Sequence, residues 1–122
     1  MAAEAIVRSG GSEGTARTYL NQVRDRVGLA ALTSSGNQLL EDIYTERRLE
    51  LATEGHRFFD IVRWGVAPAV KNAYYAKDGV RRGYLRTATF TAGKNEVFPL
   101  PAKAITQSAK DGVPTLKQNP GY

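Results

Sequence analysis

The 122-residue chain has no cysteine, one histidine and one tryptophan. Without cysteine there is no disulfide, no thiolate nucleophile and no zinc–thiolate site, and the redox compartment stays open. No apolar run approaches the ~18 residues that a spanning helix needs, and the first residues lack a signal-peptide pattern. No G-x-S-x-G follows a strand, so a serine nucleophile has no setting. A strong charge imbalance is missing too. Seventeen Lys and Arg against twelve Asp and Glu give +5, but the basic residues are scattered, and Arg81-Arg82 is the only close pair outside a helix. This reads as a mildly basic solvated surface rather than a nucleic-acid footprint.

What is present is an apolar share of 42% and a charged share of 24%, ordinary for one domain or a piece of one with a modest core. The stretch Leu40–Gly65, LEDIYTERRLELATEGHRFFDIVRWG, organises the rest. At 3.6 residues per turn, Leu40, Ile43, Tyr44, Leu51, Phe58, Ile61 and Val62 share one stripe. Arg47 and Glu54 fall on the same stripe. A core-facing charge must be paired and hydrogen-bonded, so the pattern predicts packed helices with a polar network in their contact face and Arg47 buried against a carboxylate.

Residues 1–9 have Ala2, Ala3, Ile6 and Val7 at helical spacing, stopped by Gly10-Gly11. Ala16, Tyr19, Leu20, Val23 and Val27 form a second stripe, ended by Gly28 with Leu29 folding back. Residues 1–28 are therefore a helical hairpin. Ser34 or Ser35 caps the next helix, with Gln38 completing a capping box; this helix reaches about Thr53 and breaks at Gly55. A shorter helix carries Phe58–Trp64 and stops at Gly65. Pro68 opens a further helix through Tyr74, so the signature helices occupy 35–74. In the loop-rich segment 75–122, Asp78-Gly79 is a turn and Tyr84–Thr91 alternates as an extended segment or irregular hairpin. Pro101 starts a short helix through Thr106. The fold class is mainly α, with antiparallel helix pairs followed by an irregular, partly extended C-terminal segment.

Candidate chemistry is sparse. Glu46, Glu50 and Glu54 recur every fourth residue, as do His56 and Asp60, a spacing that could share a metal. Arg47, Arg48 and Arg57 lie a turn away, so ion pairing is the better reading and no metal or other cofactor is expected. His56, beside a helix break, suits a hydrogen bond to a carbonyl or carboxylate. No two acids have a spacing that selects them for acid–base work, and arginine partners would lower their pKa values. The chain reads as a non-enzyme.

ERRLELATEGHRFFDIVRWG resembles the signature of the SusD/RagB family of glycan-binding outer-membrane lipoproteins. YLNQVRDRVG (Tyr19–Gly28), NEVFPLP (Asn95–Pro101) and the terminal QNPGY (Gln118–Tyr122) agree with it in order. Glu46, Arg47, Arg48, Glu50, Glu54, Gly55, Arg57, Phe58, Phe59, Asp60, Arg63, Trp64 and Gly65 match its structural signature. Thr53 stands where an aromatic is usual and Leu100 where isoleucine is. Members are several hundred residues long, so the resemblance implies a C-terminal portion of a longer protein, and the lack of a leader and of an acylated cysteine fits that expectation. It also implies tetratricopeptide-like helix pairs, capture of oligosaccharides or peptides, a location on the cell surface at the outer membrane, and a SusC-type TonB-dependent transporter as partner.

Ligand residues in glycan-binding members lie mostly N-terminal to this region, so none transfers onto these positions. From the residues themselves, aromatic faces suit sugar rings. Phe58 belongs to the core. Tyr74, Tyr75 and Tyr84, in or beside the least regular segment, are the better ligand candidates, with Trp64 weaker because a Trp at a helix end more often staples elements together. Two other readings remain: a scaffold that docks the transporter or the N-terminal part, signalled by an exposed apolar face at residues 1–9, and a basic helical nucleic-acid binder. A second copy of the chain could also cover that face.

Overall fold

The computed structural model describes residues 1–122. Six α-helices follow one another: α1 Ala2–Arg8, α2 Glu13–Arg26, α3 Gly36–Glu50, α4 Arg57–Arg63, α5 Ala67–Asp78 and α6 Ala102–Gln107, with a 3-10 turn at Gly83–Leu85. There is no strand, only an isolated bridge between Lys110 and Val113. No helix is long and apolar enough to cross a membrane. The chain divides into two units, Met1–Arg57 and Phe58–Tyr122, so the expected signature region 35–74 is shared between them.

In the first unit, Ala3, Ala16, Leu20, Leu39 and Ile43 form the core, with Ile6, Val7 and Leu32 against it. The α2 stripe holds at Ala16 and Leu20, while Tyr19 and Val27 are exposed. Gly28 ends α2 with φ +72°; its N–H donates to the Asp25 carbonyl and Leu29 N–H to that of Arg24, at 3.0 Å each. These bonds satisfy carbonyls that a helix end otherwise leaves open.

The connection from α2 to α3 runs back along α2, fastened by a ladder of its side chains. Arg24 Nε donates to the Ala30 carbonyl (2.8 Å), Asn21 pairs with both main-chain groups of Leu32, Arg17 Nη1 donates to the Ser34 carbonyl (3.0 Å), and Gly36 N–H donates to Glu13 Oε1 (2.9 Å). The register has a simple cause. Three or four helical residues rise about 5–6 Å, and two extended residues advance about 6.6 Å, so each rung meets the next. The ladder returns the chain to the start of α2, and α3 then runs in the same direction as α2. The α1–α2 hairpin is antiparallel; α2 and α3 are not.

Four expectations for α3 are corrected. Its buried face is Leu39, Ile43 and Glu46 rather than a stripe through Leu40, Tyr44 and Arg47. The buried charge is Glu46, Arg47 is half-buried, and Glu54 is exposed. Ser35 occupies the N-cap position without a side-chain bond; Gln38 Nε2 instead donates to Asp42 Oδ1 (2.9 Å), and Ser34 Oγ donates to Asp42 Oδ2 (2.5 Å). The helix stops at Glu50, short of Thr53, because Thr53 and Gly55 both adopt positive φ, 72° and 79°.

In the second unit, α4 ends at Gly65 (φ +75°), and Ile61, Ala67 and Phe90 form a core joined by Phe58, Val62, Trp64, Val70 and Tyr75. Helix α5 carries Pro68 in its first turn and continues past Tyr74 to Asp78, since no breaker occurs before Gly79. Tyr84–Thr91 forms no strand or hairpin. Phe90 takes its main-chain partners from a side chain instead: Asn72 Nδ2 donates to its carbonyl (3.0 Å) and its N–H donates to Asn72 Oδ1 (2.7 Å).

The chain end is fastened in the same manner. Leu100 N–H donates to Gln118 Oε1 (2.7 Å) and Gln118 Nε2 to the Leu100 carbonyl (2.9 Å). Asn119 Nδ2 donates to the Phe98 carbonyl (2.6 Å) and the Tyr122 hydroxyl to that of Val97 (3.1 Å). Pro99, Pro101 and Pro120 have no N–H and would interrupt a backbone ladder, whereas a carboxamide supplies one donor and one acceptor wherever it reaches. NEVFPLP and QNPGY are thereby held together.

Candidate functional site

Three of the four sequence candidates meet on one surface of the second unit. Tyr74 and Tyr75, adjacent on α5, have ring centroids 6.0 Å apart. The Lys71 ammonium, one turn earlier, lies over both, 5.6 Å from the first ring and 5.2 Å from the second. The Tyr74 hydroxyl donates to Asp78 Oδ2 (3.0 Å), Arg82 Nε pairs with the same oxygen (3.1 Å), and Arg82 Nη1 points to the Tyr84 hydroxyl (3.5 Å). Bonding to the Asp78 carboxylate raises the Tyr74 phenol above its ordinary pKa. The bond to Tyr84, followed by the charge of Asp78, raises that of Arg82. Both groups therefore keep their protons at neutral pH, Tyr74 as a hydroxyl and Arg82 as a cation. Tyr84 is 72% exposed. Trp64 stands apart from this surface: it packs on the core, with the Arg63 guanidinium 5.2 Å from its ring.

Beside the tyrosines opens a groove of about 360 Å³ lined by Phe58, Lys71, Tyr75, Thr89, Phe90, Asn95, Val97, Phe98 and Tyr122. Phe58 and Phe90 meet edge to face at its base, 6.4 Å between centroids. Phe98 is 84% exposed, and the Lys94 ammonium lies 4.9 Å from the Tyr122 ring. Asn95 Oδ1 accepts from Thr91 N–H (2.7 Å). Lys71 and Tyr75 belong to both the groove and the tyrosine cluster. Flat apolar faces beside a few fixed polar groups can hold a ring that is apolar on its faces and polar at its edge.

This groove was not apparent from the sequence, because its rings come from positions 58, 75, 90, 98 and 122, which no period connects. The available signal was the aromatic residue in each C-terminal motif, Phe98 in NEVFPLP and Tyr122 in QNPGY.

The signature residues mostly build the frame. Glu46 is buried and accepts from Arg24 Nη1 at 2.7 Å; Glu50 pairs with Arg26. Their partners come from α2 rather than from neighbouring turns of α3. Asp60 is buried and pairs with Arg63 Nη2 (2.9 Å), and Glu54 lies 3.9 Å from His56 Nε2. Phe59 is exposed and Arg48 faces solvent.

A sequence profile of the SusD family matches residues 1–122. The chain belongs to the SusD family. It is 27% identical over 131 aligned residues to SusD-like protein P2 of Formosa agariphila, an alignment covering 100% of this chain and 24% of that protein. It is 42% identical over 55 residues to SusD-like protein P25 of the same organism, covering 39% of this chain and 10% of the relative. This SusD-family chain thus spans about a quarter of one relative and a tenth of the other.

Proposed function

We propose that the chain is a non-catalytic part of a nutrient-binding SusD-family protein, displayed at the outer membrane, that captures oligosaccharides for a SusC-type TonB-dependent transporter. The observation that carries this reading is the groove lined by Tyr75, Phe98 and Tyr122 with Lys71 and Asn95 among them, beside the cluster of Tyr74 and Tyr84. Sugar C–H faces stack on such rings while hydroxyls reach the polar groups. Trp64 serves as a packing residue in this account. In the second unit Asp60 and Asp78 are bonded to Arg63 and Arg82 and do no acid–base chemistry in this account. Calorimetric titration of the chain with neutral and charged oligosaccharides tests the reading. Saturable binding that Phe98→Ala weakens supports it; heat-free titration of a cooperatively melting sample refutes it.

A second reading, that the chain is scaffold, is favoured by the first unit. A groove of about 470 Å³ is lined by Met1, Ala2, Ala3, Leu20, Val23, Ile43 and Leu51 and rimmed by Arg26, Glu46, Arg47 and Glu50. Its apolar floor suits a helix of the longer protein, stacked on α1 and α2 as in tetratricopeptide-like pairs. The two readings coexist if the first unit docks and the second binds.

A further inference from the structure

The basic charge is distributed unevenly. Met1–Arg57 has seven Arg and no Lys against eight Asp and Glu, whereas Phe58–Tyr122 has ten Lys and Arg against four Asp and Glu. No Asp or Glu of the second unit pairs with Lys71 or Lys94. Asp60 is paired with Arg63 and Asp78 with Arg82. Glu96 has its Oε2 enclosed without a partner, and neither it nor Asp111 lines the groove. Lys71 rests on the rings of Tyr74 and Tyr75, and Lys94 on that of Tyr122. Lys71, in the groove lining, and Lys94, over the ring of the lining residue Tyr122, are thus held on aromatic faces without an Asp or Glu partner and stabilised by ring quadrupoles.

We infer that this groove selects an anionic sugar residue, a pyranose bearing a carboxylate or a sulfate, over a neutral one. The inference rests on the glycan-binding reading above and adds the class of ligand. A neutral pyranose stacks on the rings and offers the ammonium groups only uncharged hydroxyls. An anionic one also forms charge-assisted hydrogen bonds with Lys71 or Lys94, about twice as strong as neutral ones. Stacking on Tyr75, Phe98 or Tyr122 brings the ring to the side chains on which those ammonium groups rest. Carboxylate and sulfate share this chemistry, and the two are separated by experiment.

The test is calorimetry of the full chain with three oligosaccharides of equal length: one of uronic acids, one sulfated and one neutral. A single-stranded oligonucleotide provides the control for unspecific basic attraction. The expected result is that at least one anionic sugar binds about tenfold tighter than the neutral one, and that Lys71→Gln with Lys94→Gln removes this preference by weakening anionic binding far more than neutral binding. Whichever anionic sugar binds tighter identifies the charged group. Equal affinity for neutral and anionic sugars overturns the inference and leaves the glycan-binding reading intact. No binding of any sugar overturns both. A preference that survives the double substitution, or an oligonucleotide that binds as tightly as the anionic sugar with a steep salt dependence, overturns it in favour of general basic attraction.

Discussion

The carboxamide of Asn72 pairs with both main-chain groups of Phe90, at 3.0 and 2.7 Å, eighteen residues further along the chain. That one side chain fixes a loop to α5 and sets Phe90 between the core and the groove. Replacing it with Leu keeps the branched shape and strands a donor and an acceptor, so Asn72→Leu should cost about 2 kcal/mol. Asn72→Asp keeps an acceptor for the Phe90 N–H but sets a carboxylate oxygen against the Phe90 carbonyl, so it should cost at least as much at neutral pH. Urea unfolding of the three proteins measures both.

The arginines of α2 should differ sharply. Arg24 joins the returning connection to the buried Glu46 carboxylate, and Arg24→Met leaves that charge enclosed, at a cost of about 3 kcal/mol. Arg26 pairs with Glu50 at the surface, and Arg26→Met should cost less than about 1 kcal/mol. Equal unfolding midpoints would contradict the burial of Glu46.

Thr53 carries a β-branched side chain at φ +72°, a conformation that costs such residues on the order of 1 kcal/mol or more. Thr53→Gly should therefore stabilise the turn after α3 by about 1 kcal/mol. A thermal melt showing lower stability would mean that the hydroxyl has a role there.

Alkaline titration should find Tyr74 ionising above the ordinary tyrosine range. Its hydrogen bond to Asp78 raises its pKa in the folded chain. The stability this bond contributes is present below the unfolded tyrosine pKa of about 10 and is lost as pH rises through the folded value. Asp78→Asn should bring the Tyr74 phenolate absorbance to lower pH, and the high-pH loss of stability should shrink with it.

Much of this arrangement was legible in the residues. Gly28, Gly65 and Pro68 marked helix boundaries through backbone chemistry that holds in any context, and Ala16 and Leu20 fell on the expected face. Leu39 and Glu46 lie off the predicted stripe because that stripe runs on through Leu51 and Glu54 to Phe58, beyond the end of α3 at Glu50. The α2 ladder and the Asn72 and Gln118 clasps were not legible, since polar side chains bonding distant main chain leave no periodic trace. Tyr84–Thr91 alternates like a strand, but no second strand is available to pair with it. Tyr74 and Tyr75 lie inside α5, and only Tyr84 has the irregular surroundings that make a loop tyrosine a ligand candidate. The groove needed the chain path to bring positions 58 and 122 together.

The central claim is that the rings of the second unit bind sugar. Saturation-transfer NMR, irradiating aromatic protons of the chain in the presence of an oligosaccharide, tests it most directly. Transfer to the sugar ring C–H protons, reduced by Phe98→Ala and by Tyr75→Ala and unaffected by Tyr19→Ala in the first unit, is the predicted result. Transfer that none of these substitutions changes, or no transfer from a cooperatively folded chain, would contradict the account and assign recognition to another part of the longer protein.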